Sequence, residues 1–282
     1  MRWSLLLVAV TLLVAGCGTE ASSFEGSDDA LKDASSSRVE WKMEGKDVPH
    51  WASMRSTGSI DYAKGRAELV MHGESDSTPE ARLVLVDRAS YMGVEVGGTM
   101  HWLKQSVEHP TGAQRFFPGP GGTSPERLLE ALTNSSTNVE KLGSEEIRGV
   151  TATHYQAHLD KTKLRISGDS SEAGVVDAWI DEQGLPRRVR IPFGGETDSG
   201  FVMDLFDFGV SVDIEAPPAD EVVSEDEFER LMDKVCADAD KAPEKMNPLC
   251  AIFGATLTES SSSGSGEYSP TETMPRKVTD SK

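Results

Sequence analysis

Between residues 38 and 214 the sequence is a succession of short segments in which apolar and polar side chains alternate, separated by tight turns. Side chains of a strand point to opposite faces with a period of two, so each segment predicts a strand with one buried face. Residues 38–43 place Val39, Trp41 and Met43 together. Residues 54–62 and 66–72 flank Ala63-Lys64-Gly65 as a hairpin, and 82–87, 91–96 and 101–105 continue the pattern, with Gly97-Gly98 turning the chain. Farther on, 139–142 and 146–148 lead into a turn at Gly149. Residues 151–160 then set Thr153, Tyr155, Ala157 and Leu159 on one side and His154, Gln156 and His158 on the other. Val176, Ala178 and Ile180 form the next inward set, before a turn at 181–184. Pro186 opens a strand with Val189, Ile191 and Phe193 opposite Arg188 and Arg190, and 201–214 reads as the last strand. Consecutive strands with short turns and no crossover helices predict an antiparallel sheet.

Three helices interrupt or flank this meander. Ser27 heads a short one through Asp28, Asp29, Leu31 and Lys32, with acidic residues at its positive end. Residues 116–122, beginning Phe116-Phe117-Pro118, are a loop by composition. Ser124 then suits an N-cap, with Pro125 at the first helical position and Leu128, Leu129 and Leu132 on one face, fit to cover an apolar sheet. Ser224-Glu225-Asp226-Glu227 is a capping box, and Val223 with Phe228 makes a hydrophobic staple. Phe228, Leu231, Met232 and Val235 form the docking stripe of that third helix.

The ends of the chain are of a different kind. Arg2, an apolar run over 3–13, and then Val14-Ala15-Gly16-Cys17 have the order of an export signal, and the run is too short to span a bilayer, which takes about 20 residues. Small residues directly before a cysteine resemble the lipobox of bacterial lipoproteins. That resemblance implies cleavage before Cys17 and acylation of it, which would anchor the chain to the cell membrane on the extracytoplasmic face. An ordinary secretory signal with an incidental cysteine is the alternative. On this reading 1–16 is the signal peptide, 17–26 a tether, 27–255 the folded domain and 256–282 a Ser-rich disordered tail. Cys236 and Cys250, the even pair left in an exported chain, predict a disulfide, although spacing alone also allows free thiols. With 28 Lys+Arg against 47 Asp+Glu, the net charge of −19 argues against nucleic acid, whose phosphates require a basic stripe, and against direct docking to anionic headgroups.

Four segments carry a family resemblance: 125–132, 139–155, 177–187 and 206–222, the last reading Phe206-Asp-Phe-Gly-Val-Ser-Val-Asp-Ile-Glu-Ala-Pro-Pro-Ala-Asp-Glu-Val222. They resemble actinobacterial envelope lipoproteins of the LppX/LprG type, which are similar to the LolA/LolB carriers. The resemblance covers roughly 27–222. It implies an α+β fold: a curved antiparallel sheet, the LolA-like half-barrel, with helices packed on the concave face. It implies an apolar cavity that holds acyl chains, with no catalytic motif and no cofactor. The disulfide region and tail fall outside it.

The candidate ligand cavity on this reading is lined by Leu83, Leu85, Trp102, Tyr155, Ile180, Val189, Phe206 and the helix residues Leu128, Leu129 and Leu132, with Phe116 and Phe117 as lid residues. The same side chains equally suit a close-packed core. His154 and His158, with Asp160 near, lack the paired spacing of a zinc site, so no metal is expected and solvated histidines are. Asp204 and Asp207 do not make an acid/base pair, because their spacing along a strand sends them to opposite faces, one as a solvated sheet-face carboxylate. Residues 119–122 lack the Lys-Ser/Thr of a phosphate loop, and no nucleophile–base set appears, so no enzyme is expected. The expected function is non-covalent binding or carriage of a hydrophobic or acylated envelope molecule. The alternative is an interaction module for an envelope protein partner, with a filled core.

Overall fold

The computed structural model describes residues 26–46, 55–72, 81–106, 136–159, 174–192, 199–237 and 250. They form one twelve-stranded sheet, curved and unclosed, with two helices. Helix α1 is Ser27–Ala34 and α2 is Glu225–Cys236. A first meander runs through β1 (Ser36–Glu44), β2 (Arg55–Asp61), β3 (Arg66–His72), β4 (Ala81–Val86), β5 (Ala89–Val96) and β6 (Thr99–Ser106). A second runs through β7 (Ser136–Ile147), β8 (Val150–Leu159), β9 (Gly174–Asp181), β10 (Pro186–Pro192) and β11 (Gly200–Phe206). The two are joined at a central seam, where β1 pairs antiparallel with β11 in the register Val39↔Leu205 and Trp41↔Met203. A two-residue strand, β12 (Val222–Val223), adds in parallel to the outer edge of β6.

Register decides which residues share a face. Leu103, Met92, Leu83, Leu69, Gly58, Val39 and Leu205 lie in one row across seven strands. Trp41, Met203, Val189, Ala178 and Tyr155 continue it across the second meander. The sheet therefore has one face that is largely apolar from β6 to β8. Gly58 is required in the row, because a Cβ there would lie 1.9 Å from the Glu68 carbonyl oxygen. Both described helices pack on this face. Leu31 of α1 is fully buried with Val39, Ile60 and Leu205, and Phe228 and Met232 of α2 are buried against Met71, Ala81, Met92, Val94 and Leu103.

Helix α2 begins where the capping box places it. The Ser224 hydroxyl accepts a hydrogen bond from the Glu227 amide at 3.3 Å, and Val223 packs in the cluster that buries Phe228. Ser224→Ala is expected to remove about 1 kcal/mol of stability, read as a shifted midpoint in denaturant unfolding. The predicted disulfide between Cys236 and Cys250 is formed, with Cα atoms 5.6 Å apart, and it ties the end of α2 to the chain beyond it.

The last strand is shorter than its alternation predicts. It ends at Phe206, not at 214, because Asp207 and Gly209 take positive φ (51° and 75°) and turn the chain out of the sheet. Residues 207–221 then form a strap across the other face. Gly209 donates to the Ser36 carbonyl, Ser36 Oγ donates to the Val210 carbonyl at 2.6 Å, and Arg66 donates to the Ile214 carbonyl at 3.1 Å. Ile214 packs with Val84, Val86 and Trp102, and the Trp102 indole donates to Glu221 at 3.1 Å.

Candidate functional site

The apolar face gathers five of the residues expected to line a cavity. Ile180 and Val189 are buried in the central cluster, and Leu83, Leu85 and Tyr155 pack against it while retaining partial exposure. Ile191 and Phe201 do the same. Trp102 and Phe206 do not join them, which corrects the single set expected from alternation. The Trp102 row position pairs with Gly93 and its ring lies under the strap, 2.7 Å from where a Gly93 Cβ would stand. Phe206 also points to the strap side, its ring beneath the Arg148 guanidinium at 4.1 Å. Leu128, Leu129, Leu132, Phe116, Phe117 and Cys17 lie outside the described residues.

Size gives this face its meaning. Twelve strands at about 4.8 Å spacing make a sheet roughly 50 Å wide. Each helix is about 10 Å across, so the two described helices, docked at separate clusters, shield a minority of that width.

The opposite face carries a polar row in the same registers: Thr57, Glu40, Asp204, Arg188, Trp179 and His154. It sets two carboxylates, Glu40 and Asp204, directly opposite one another across the seam, an arrangement that repels unless cations intervene. Three arginines do so. Arg188 donates to Asp204 through Nε at 2.6 Å and Nη2 at 2.8 Å. Arg55 donates to Glu40 at 2.7 Å. Arg148, from the β7–β8 turn, donates to both carboxylates, to Glu40 at 2.7 Å and to Asp204 at 3.1 Å. Of the two carboxylates expected on opposite faces, Asp204 is not a solvated one: it is 3% exposed and accepts three hydrogen bonds. Burial alone would raise the Glu40 pKa, but the bonds from Arg55 and Arg148 more than reverse this and hold it below the ordinary carboxylate value. Burial would likewise lower Arg148, yet its bonds to Glu40 and Asp204 raise it.

His154 is also drawn into the row, where the sequence suggested a solvated ring. It stacks on Trp179 at 4.2 Å and lies 3.0 Å from Asp177 and 3.2 Å from Glu145. Gln156 and Arg190 donate to the same Asp177, at 3.0 and 3.5 Å. Among the described residues no group of three or more His, Cys, Asp or Glu side chains is arranged to hold a metal ion. The row is thus a lattice of ion pairs.

No known family profile matches the chain. It is 25% identical over 239 residues to an uncharacterized 31.2 kDa protein of Streptomyces griseus from the rplA–rplJ intergenic region, covering 67% of this chain and 74% of that one. Among solved structures it is similar to the lipoprotein LppX of Mycobacterium tuberculosis, with 16% identity, a TM-score of 0.48, and coverage of 68% of this chain and 96% of LppX. It is also similar to LprF of Mycobacterium bovis, with 15% identity, a TM-score of 0.48, and coverage of 70% and 95%. LppX is one of the two proteins after which the group resembled by residues 125–222 is called.

Sequence reasoning missed Arg148. The signal was an inconsistency: Asp204 stands in the apolar run Gly200-Phe-Val-Met-Asp-Leu-Phe206, and a carboxylate in such a run needs cations to be buried. Among the described residues no helix is long and apolar enough to cross a membrane.

Proposed function

We propose that this chain is a lipid-anchored extracytoplasmic lipoprotein that binds or carries a hydrophobic or acylated envelope molecule without a covalent step. The observation that carries the reading is the apolar face: a row of hydrophobic side chains running through both meanders, wider than the two described helices can shield. Partly buried Leu83, Leu85, Tyr155, Ile191 and Phe201 are where acyl chains would lie, with Ile180 and Val189 as the floor. On this reading the apolar face is the concave one, and Cys17 holds the protein at the membrane. The lipoprotein neighbours LppX and LprF fit this picture.

Burying methylenes at about 0.8 kcal/mol each gives a chain of ten about 8 kcal/mol of gross attraction, before the loss of translational freedom. Such binding selects chain length and needs few polar groups, in keeping with a face that is apolar from β6 to β8. The test is native mass spectrometry of a soluble form lacking Cys17, expressed in two unrelated bacterial hosts. A co-purified mass in the lipid range, lost on organic extraction, is expected. Bare protein from both hosts, together with no uptake of an added fatty acid, overturns the reading and leaves the filled-core interaction module.

A further inference from the structure

The Arg148 contacts are too far apart in the sheet to be made by a flat hairpin. β8 is separated from β11 by two strands and from β1 by three, so at about 4.8 Å per strand the β8 axis lies roughly 14–19 Å from the two carboxylates. An arginine side chain extends about half that distance, at ordinary bond lengths. The tip of the β7–β8 hairpin therefore folds over the polar face, and three features allow it. Arg148 and Gly149 both have positive φ (50° and 80°), the tight turn whose twist continues that of the strands. β7 is broken by register shifts between Thr137 and Glu140 and between Lys141 and Gly143, and such irregularities bend a strand. Ile147, from the tip, is buried with Ala152 on Trp179.

We propose that the β7–β8 hairpin is a releasable corner flap, latched to the β1–β11 seam by Arg148. The latch has three contacts: Glu40 of β1, Asp204 of β11 and the Phe206 ring. It is the single side chain among the described residues that touches both seam carboxylates, so it holds the flap down and also separates Glu40 from Asp204 by a positive charge. The hairpin carries Val139, Tyr155 and Ala157 on its apolar side, and β8 is paired with β9 through Tyr155↔Ala178 and Ala157↔Val176, so release of the tip would widen that end of the apolar face only as the ladder frays inward from Ala152↔Asp181. This last consequence rests on the carrier reading; the latch does not.

Acid bears on the latch through the groups that face it. These are Glu40 with Arg55 from β2, Asp204 with Arg188 from β10, and Glu145 at the base of the tip, itself 3.2 Å from His154. Glu40 titrates below its ordinary value of 4.5, so its share of the latch is complete above that value and is lost as pH falls through the lower folded one.

Hydrogen exchange of the full chain tests the latch. At pH 7, Arg148→Ala is expected to lower protection of amides 144–153 by roughly tenfold or more, with β2, β3 and β5 changing less than about twofold. Glu40→Gln, which copies the protonated carboxyl without removing a buried volume, is expected to shift the same amides in the same direction by a smaller factor. Unchanged protection of 144–153 in Arg148→Ala overturns the latch, and so does an equal loss spread over every strand. Uptake of the fluorophore bis-ANS is measured in parallel. A rise in Arg148→Ala supports the link to the apolar face. A loosened flap with no rise breaks that link and counts against the carrier while leaving the latch intact.

Discussion

Replacing Asp204 by alanine is expected to destabilise the fold by about 3–5 kcal/mol, the range for removing one partner of a buried ion pair. The carboxylate is 3% exposed and sits under Arg188 and Arg148, which donate three hydrogen bonds to it. Truncation leaves two guanidinium groups facing a gap at the seam. Their partial exposure, 29% and 36% of the side chains, lets water reach them and places the expected value toward the lower end of the range. Asp204→Asn, which keeps an acceptor but not the charge, should lose less than the alanine variant. Denaturant unfolding monitored by tryptophan fluorescence is the measurement. A loss under about 1 kcal/mol would show that the ion pairs on this face are ornamental, as many exposed pairs are.

A comparable loss, about 3–5 kcal/mol, is expected for Phe228→Ala. Phe228 is 1% exposed and is the largest fully buried side chain of α2. It packs with Met71, Met92, Met232 and Leu103, and its staple with Val223 sets the angle at which the chain leaves β12 for the helix. The methionines around it can flow into part of the space, which moderates the cavity left behind. Met232, buried in the same cluster one helical turn on, remains to hold α2 on the sheet. The expected signature is therefore a lowered unfolding midpoint with most helical signal retained in native buffer. Full retention of stability would mean that α2 contributes little to covering the apolar face.

Most strands of this fold are legible in the sequence, for a reason that also explains the failures. Alternation such as Val39, Trp41, Met43 or Val176, Ala178, Ile180 reports that one face is buried, and the Gly97-Gly98 and Arg148-Gly149 turns punctuate it. Alternation does not report what does the burying. Val210, Val212 and Ile214 continue the period of two after Phe206, yet they belong to a strap lying on Val84, Val86 and Trp102. An extended segment packed on a sheet has the same period as a strand inside one. Nor does alternation fix the phase of one strand against another, which requires register. That is why alternation alone puts Trp102 and Phe206 with Leu83 and Val189, although they project from the reverse side. The polar row was hidden for a third reason: the separation in sequence of Glu40, Arg148 and Asp204 is bridged by topology alone, through the pairing of β1 with β11 and the fold-over of the hairpin tip.

The seam between β1 and β11 has a consequence for how the molecule is born. Everything from Ser36 to Ser106 can zip locally, and so can everything from Ser136 to Phe206, but the earliest strand of the first half docks on the final strand of the second. Whichever ribosome or pore releases the chain, the first half must wait, its leading edge unpaired and its oily surface bare, until residue 206 is out. Long waits of this sort slow assembly and invite capture by neighbours. The join at the middle of the sheet thus works as a clock, closing only when the last long strand has arrived.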